Sequence, residues 1–197
     1  MLYENKKNII SFSFIARLIT LIFVVAISQI ASADILYNDG GSYSISNYVE
    51  GNVAVTGRFT EPFQSTTVDI VNGGNINGNV TVGSGGIANL AGGNIQGDII
   101  SNADAGSINI TSGSVLGSVE VTGITSLHIS SADVGGNVYY GMSTDYFSIT
   151  DSTINGDITT AATNLSNISL SSSTVNGVLR SVVAPKMLIS ECLLNAG

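Results

Sequence analysis

The sequence predicts an all-β fold, a single-stranded parallel β-helix wound right-handed in coils of about 20 residues. Three observations predict it. A short phrase returns along the chain: GGNINGNV (73–80), GGNIQGDI (92–99), SGSVLGSV (112–119), SADVGGNV (131–138), DSTINGDI (151–158) and SSTVNGVL (172–179). Apolar residues recur in columns at steps of 19 to 21: Ile76, Ile95, Val115, Val134, Ile154, Val175 and Leu194 form one, and Ile70, Leu90, Ile110, Ile129, Ile149, Leu170 and Ile189 another. A third column, Val68, Ala88, Ile108, Leu127, Phe147, Ile168 and Met187, stands two residues before the second, and six of the seven residues between them are polar. That alternation is the period of a strand with one buried face.

Residues 1–33 read as a signal peptide. Lys6, Lys7 and Arg17 supply the basic region, LITLIFVVAISQI (18–30) the apolar core, and Ala31-Ser32-Ala33 the small-residue cleavage site before Asp34. Residues 34–67 are expected to form an N-terminal cap with one irregular coil. Gly51-Asn52-Val53 echoes the repeat, but Tyr37, Tyr43, Tyr48, Phe59, Pro62 and Phe63 crowd into it.

From 68 to 197 each repeat supplies a short strand, a turn and a second strand. The double glycines at 73–74 and 92–93 fall in the turn, where positive φ is cheap for glycine. The glycine third from the end of each phrase (Gly78, Gly97, Gly117, Gly136, Gly156, Gly177) is expected at an inward position, where successive coils meet too closely for a Cβ. One repeat cannot bury its apolar residues alone, whereas coils stacked at about 4.8 Å make a continuous Val/Ile column about 30 Å long. The chain stops at Leu194-Asn195-Ala196-Gly197, in mid-repeat, so the last coil is expected to be covered by further chain or by a partner.

Beyond the leader, 13 acidic residues face only Arg58, Arg180 and Lys186, a net charge of −10. With no basic cluster, a nucleic-acid surface is not expected. Cys192 is the single cysteine, so no internal disulfide forms and packing must hold the exported chain.

No residue set converges on chemistry. His128 lies between inward Leu127 and Ile129, hence on the outer surface, with no Cys/His cluster to make a metal site. Asp98, Asp133 and Asp157 recur near the corner glycine, but Asp98 and Asp157 are three coils apart, about 14 Å, too far for a carboxylate pair. They read as solvated turn residues, and no catalytic residue, metal or cofactor is expected. Outward Asn77, Asn155, Asn176 and Asn195 are expected to form partial amide ladders. Tyr139 and Tyr140, with Tyr146 on the next turn, are the candidate surface contact, since paired aromatics stack on sugars or proteins.

The GGxIxGxV units behind a cleavable leader resemble the passenger regions of Gram-negative autotransporters and related β-helical surface adhesins. The resemblance implies export to the outer membrane and cell surface, with adhesion or contact with a host or surface protein or glycan. This chain departs from the family in having no C-terminal barrel segment of alternating strands. A truncated passenger, or one served by a separate translocator, is therefore expected. Two other readings use the same scaffold: a polysaccharide-acting enzyme, which needs acids converging on a groove, and a self-assembling or ice-binding surface, which needs flat threonine arrays. Thr66-Thr67 and Thr159-Thr160 are adjacent pairs and face opposite sides of a strand.

Overall fold

The computed structural model describes residues 34–101, 105–141, 146–161, 167–181 and 186–195. The expected leader, 1–33, lies outside the described residues.

The chain is a parallel β-solenoid. Every ladder between its described strands is parallel. Each turn passes through three strand segments. The first face is an 8-stranded sheet built from one strand per turn, beginning Ile35–Tyr37, Val53–Val55, Val80–Val82 and ending Ile158–Thr160, Leu179–Ser181. The second face begins with Ser42–Ile45 and Thr66–Val71 and ends with Asn167–Ser171 and Lys186–Ser190. The third begins with Tyr48–Val49 and Asn75–Ile76 and ends with Thr174–Val175 and Leu193–Leu194. These two faces join into one 14-stranded sheet because Gly86–Ile95 and Ala105–Val115 run through both without a break.

The register sets the repeat columns directly above one another. Ile76 pairs with Ile95, Ile95 with Val115, Val115 with Val134, and so on to Val175 with Leu194. Ile70, Leu90, Ile110, Ile129, Ile149, Leu170 and Ile189 pair in the same way. The interior members of both columns are buried, and each fully buried Val or Ile contributes about 1.5–3 kcal/mol. The columns end at Leu194 and Ile189, which are 45% and 41% exposed because no further coil covers them among the described residues. The first face adds a mixed column, Val55, Val82, Ser101, Val121, Tyr140 and Thr160, with hydroxyls inside the core. They are satisfied there: the Ser101 hydroxyl accepts the Thr122 backbone N–H, and Thr160 donates to Ser181.

Residues 34–67, expected as a cap, supply strands in register with those that follow. Tyr43 stacks on Val68, Ile45 on Ile70, and Val49 on Ile76. The largest irregularity lies in one place. Val53 pairs with Val80 across 27 residues, and the surplus leaves the solenoid between Gly57 and Ser65.

The recurring glycines sit at the corner between the third and first faces and are half-buried, not in the core column as the alternation predicts. They stack on one another: the Gly117 N–H donates to the Gly97 carbonyl at 3.1 Å, and the Gly136 N–H to Gly117 at 2.8 Å. A Cβ on Gly117 would lie 2.6 Å from the Gly97 carbonyl oxygen and would also strike the Asp98 carboxylate. The backbone of the coil beneath is therefore the reason for the glycine.

The corner between the second and third faces needs left-handed backbone. Gly73 and Gly92 provide it at φ +91° and +94°, and Ser131, Asp151, Ser172 and Glu191 adopt φ 47–56° in the later coils. The next residue in each later coil points inward. Ser152 and Ser173 donate their hydroxyls to the carbonyls two residues earlier, and Cys192 donates its thiol to the Ser190 carbonyl in the same manner. Cys192 is thus the next member of a small-residue stack.

Candidate functional site

Most of the sequence-selected polar residues belong to the scaffold. Asn79, Asp98, Ser118, Asn137 and Asp157 follow the corner glycine in successive coils. Each side-chain oxygen accepts a backbone N–H one coil on: Asn79 from Asp98, Asp98 from Ser118, Ser118 from Asn137, Asn137 from Asp157, and Asp157 from Val178. Asn52 begins the same ladder by accepting the Asn79 N–H, and Asp34 accepts that of Asn52. Asp98 and Asp157, read as solvated turn residues, are hydrogen-bonded elements of this seam. Asp157 also meets the exposed guanidinium of Arg180 at 3.5 Å. Asp133 stands in a different column, between Ser114 and Thr153 on the third face.

The expected amide ladder is present at the C-terminal coils, where Asn195 donates to Asn176 and Asn176 to Asn155. Asn77 instead donates to the Glu50 carboxylate at 3.4 Å. A second ladder, unforeseen, links Asn109 to Asn89 and Asn89 to Asp69 on the second face. His128 extends this outer column, and its Nδ1 is hydrogen-bonded to the hydroxyl of Ser148 one coil on.

The tyrosine patch does not form as expected. Tyr140 is fully buried and stacks on Phe147, with ring centroids 5.1 Å apart and planes 10° apart. The error lies in the phase of the first-face strand: Val138 and Tyr140 point inward and Tyr139 outward. Tyr139 is half-buried between Glu120 and Thr159 in the outer column, and the side chain of Tyr146 lies outside the described residues.

What the solenoid holds outward is the excursion at 57–65. It is anchored from both sides. The Gly57 N–H donates to the Ser84 carbonyl at 2.7 Å, and Gly57 and Gly85 pack backbone on backbone. At its base Arg58 and Gln64 form an antiparallel bridge. Below, the Gly40 N–H donates to the Thr66 hydroxyl, and a Cβ on Gly40 would strike Gln64. Phe59 and Phe63 are 59% and 66% exposed at the tip.

Between this hairpin and the Ser84–Gly85 turn lies a cavity of about 240 Å³, lined by Arg58, Phe59, Phe63, Gln64, Ser65 and Ser84 with the adjoining glycines. Arg58 is half-buried, and its Nε donates to the Thr60 hydroxyl at 2.8 Å. Its terminal nitrogens make no ion pair or hydrogen bond with the described residues.

Beside the hairpin, Tyr37 and Tyr43 pack with ring centroids 4.5 Å apart. The Tyr43 hydroxyl makes a short hydrogen bond to Asp39, whose other carboxylate oxygen accepts the Gly41 N–H. The Tyr43 bond, then the Gly41 N–H and more weakly the Arg58 charge, hold the Asp39 carboxyl below its ordinary range. The same bond to Asp39 raises the Tyr43 phenol. The carboxylate near Arg58 is thus already engaged by its own turn.

Sequence reasoning counted Phe59, Pro62 and Phe63 as crowding in a cap. The 27-residue step, against 18 to 21 elsewhere on the first face, is the signal that marks an excursion. No protein-family model, curated protein or solved structure matches the chain.

Proposed function

We propose that the chain is an exported β-helical scaffold displayed at the cell surface of a Gram-negative bacterium, acting in adhesion or contact with a host or surface protein or glycan. The leader signals and the repeat support export of a passenger-type protein. The observation that carries the contact role is the 57–65 hairpin, which places two exposed phenylalanines beside a cavity on a side wall otherwise largely polar. Coil-to-coil loops are the positions at which solenoids present binding residues. The last coil supports a covered C-terminal end. Leu188 and Leu193, 60% and 57% exposed, replace polar residues of the preceding coils, beside bare Ile189 and Leu194. Further passenger chain, a separate translocator or another partner would bury them.

The test is surface display of the full chain in a Gram-negative host, read by protease shaving and by adherence of the displaying cells to epithelial and abiotic surfaces. A variant with residues 58–64 replaced by a Gly-Ser linker should remain displayed and lose adherence. Retention of the chain inside the cell, or equal adherence of the two forms, would overturn the reading.

A further inference from the structure

We infer that the hairpin cavity binds a single acidic sugar residue, its carboxylate on Arg58 and its ring against Phe59 or Phe63; this rests on the contact role proposed for the hairpin. The argument begins with charge. Arg58 is one of only three strong cations after residue 33, and it is half-buried in the cavity wall. Its Nε is fixed by Thr60, which leaves the terminal N–H groups as donors for a carboxylate fork. Asp39, an acid close enough to feel that charge, is committed to Tyr43 and Gly41 and is not ion-paired with Arg58.

The remaining lining selects the rest of the ligand. Phe59 and Phe63 offer flat apolar faces in water, and Gln64, Ser65 and Ser84 offer an amide and two hydroxyls. One apolar face with hydroxyl partners and one guanidinium matches a sugar ring bearing a carboxylate. At about 240 Å³ the cavity falls below the ~300–1,000 Å³ typical of drug-sized ligands, so it takes one ring, not a chain. The net charge of −10 after residue 33 also repels an extended polyanion. The fit is to an isolated or terminal acidic residue on an otherwise neutral glycan.

The experiment is saturation-transfer NMR and titration of the full chain with methyl glucuronide, methyl galacturonide and a methyl sialoside. Methyl glucoside, methyl galactoside and sodium acetate serve as comparators. At least one acidic glycoside should transfer to its ring protons and bind at least tenfold more tightly than its neutral counterpart. Arg58→Gln should reduce acidic binding to the neutral level, and Phe59→Ala with Phe63→Ala should remove ring transfer. Unchanged thermal melting of these variants would confirm that the solenoid persists. Acidic and neutral glycosides binding equally, acetate binding as well as the glycosides, or no binding across the panel would each overturn the inference. If adherence is still lost on replacing 58–64, that result leaves the contact role standing with a protein ligand. If adherence does not depend on 58–64, the contact role itself has failed.

Discussion

The carboxylate of Asp98 accepts the backbone N–H of Ser118, 20 residues later, at 2.7 Å, while Gly117 leaves the space into which that carboxylate fits. Side chain and glycine are one device. The acceptor reaches the next coil only because its neighbour there has no Cβ. Asp98→Ala should cost about 1–3 kcal/mol, since it strands the Ser118 N–H, and Asp98→Asn should restore most of the loss. Gly117→Ala should cost about 1–3 kcal/mol through overpacking. In the double variant the losses should fall short of additive, because the added methyl occupies the space of the deleted carboxylate. Urea denaturation checks all three; strictly additive losses would show that the two positions act separately.

Tyr140 and Tyr139 are adjacent in sequence and opposite in consequence. Tyr140→Ala should cost about 3–5 kcal/mol and remove the near-UV dichroism of its stack with Phe147. Tyr139→Ala, on the outer face, should change stability by less than about 0.5 kcal/mol. Similar melting temperatures for the two variants would contradict the inward phase of Tyr140.

Ser131 holds a left-handed backbone at φ 49° with its side chain exposed. Ser131→Val should lower stability by about 1–2 kcal/mol, because a β-branched residue resists that conformation. Ser131→Gly should be neutral or better, as the glycines at the equivalent corners of earlier coils indicate. Equal melting of the Val and Gly variants would remove the strain argument.

The Asp39–Tyr43 contact sets a pH window. Asp39 titrates below its ordinary 3.8, so its contribution is present above that value and is lost as pH falls through the lower folded one. Tyr43 titrates above its ordinary 10.0, so its contribution is present below that value and is lost as pH rises through the higher folded one. The difference in melting temperature between the native chain and Tyr43→Phe should therefore be flat near neutrality and shrink at both extremes. A difference that stays constant from acid to strong alkali would show that the bond makes no contribution.

The architecture was legible in the sequence because a solenoid writes its contacts into a fixed interval. Ile76, Ile95 and Val115 could be aligned without knowing any other fold. The first face was less legible. Its inward column mixes Val82 and Val121 with Ser101, Tyr140 and Thr160, and polarity alone cannot assign hydroxyls that are satisfied inside the core. The phase of Tyr139 and Tyr140 was missed for that reason. The role of Asp98 was missed because its partner is a backbone N–H, which carries no residue identity. Cys192 carries no pattern of its own in the sequence, and its place follows from Ser152 and Ser173, which bond the carbonyl two residues back in the same way. The hairpin was hidden because its phenylalanines resemble the aromatics of the first coil, Tyr37 and Tyr43, which do face the core.

The gap between Val53 and Val80 shows how forgiving this architecture is of cargo. Val55 and Val82 still pair as neighbours although the segment joining their coils detours outward and returns. Sequences of other lengths and compositions could be exchanged at that exit without moving a rung on either side. Evolution, or an engineer, could therefore change what the molecule grips while leaving untouched the spine that carries it.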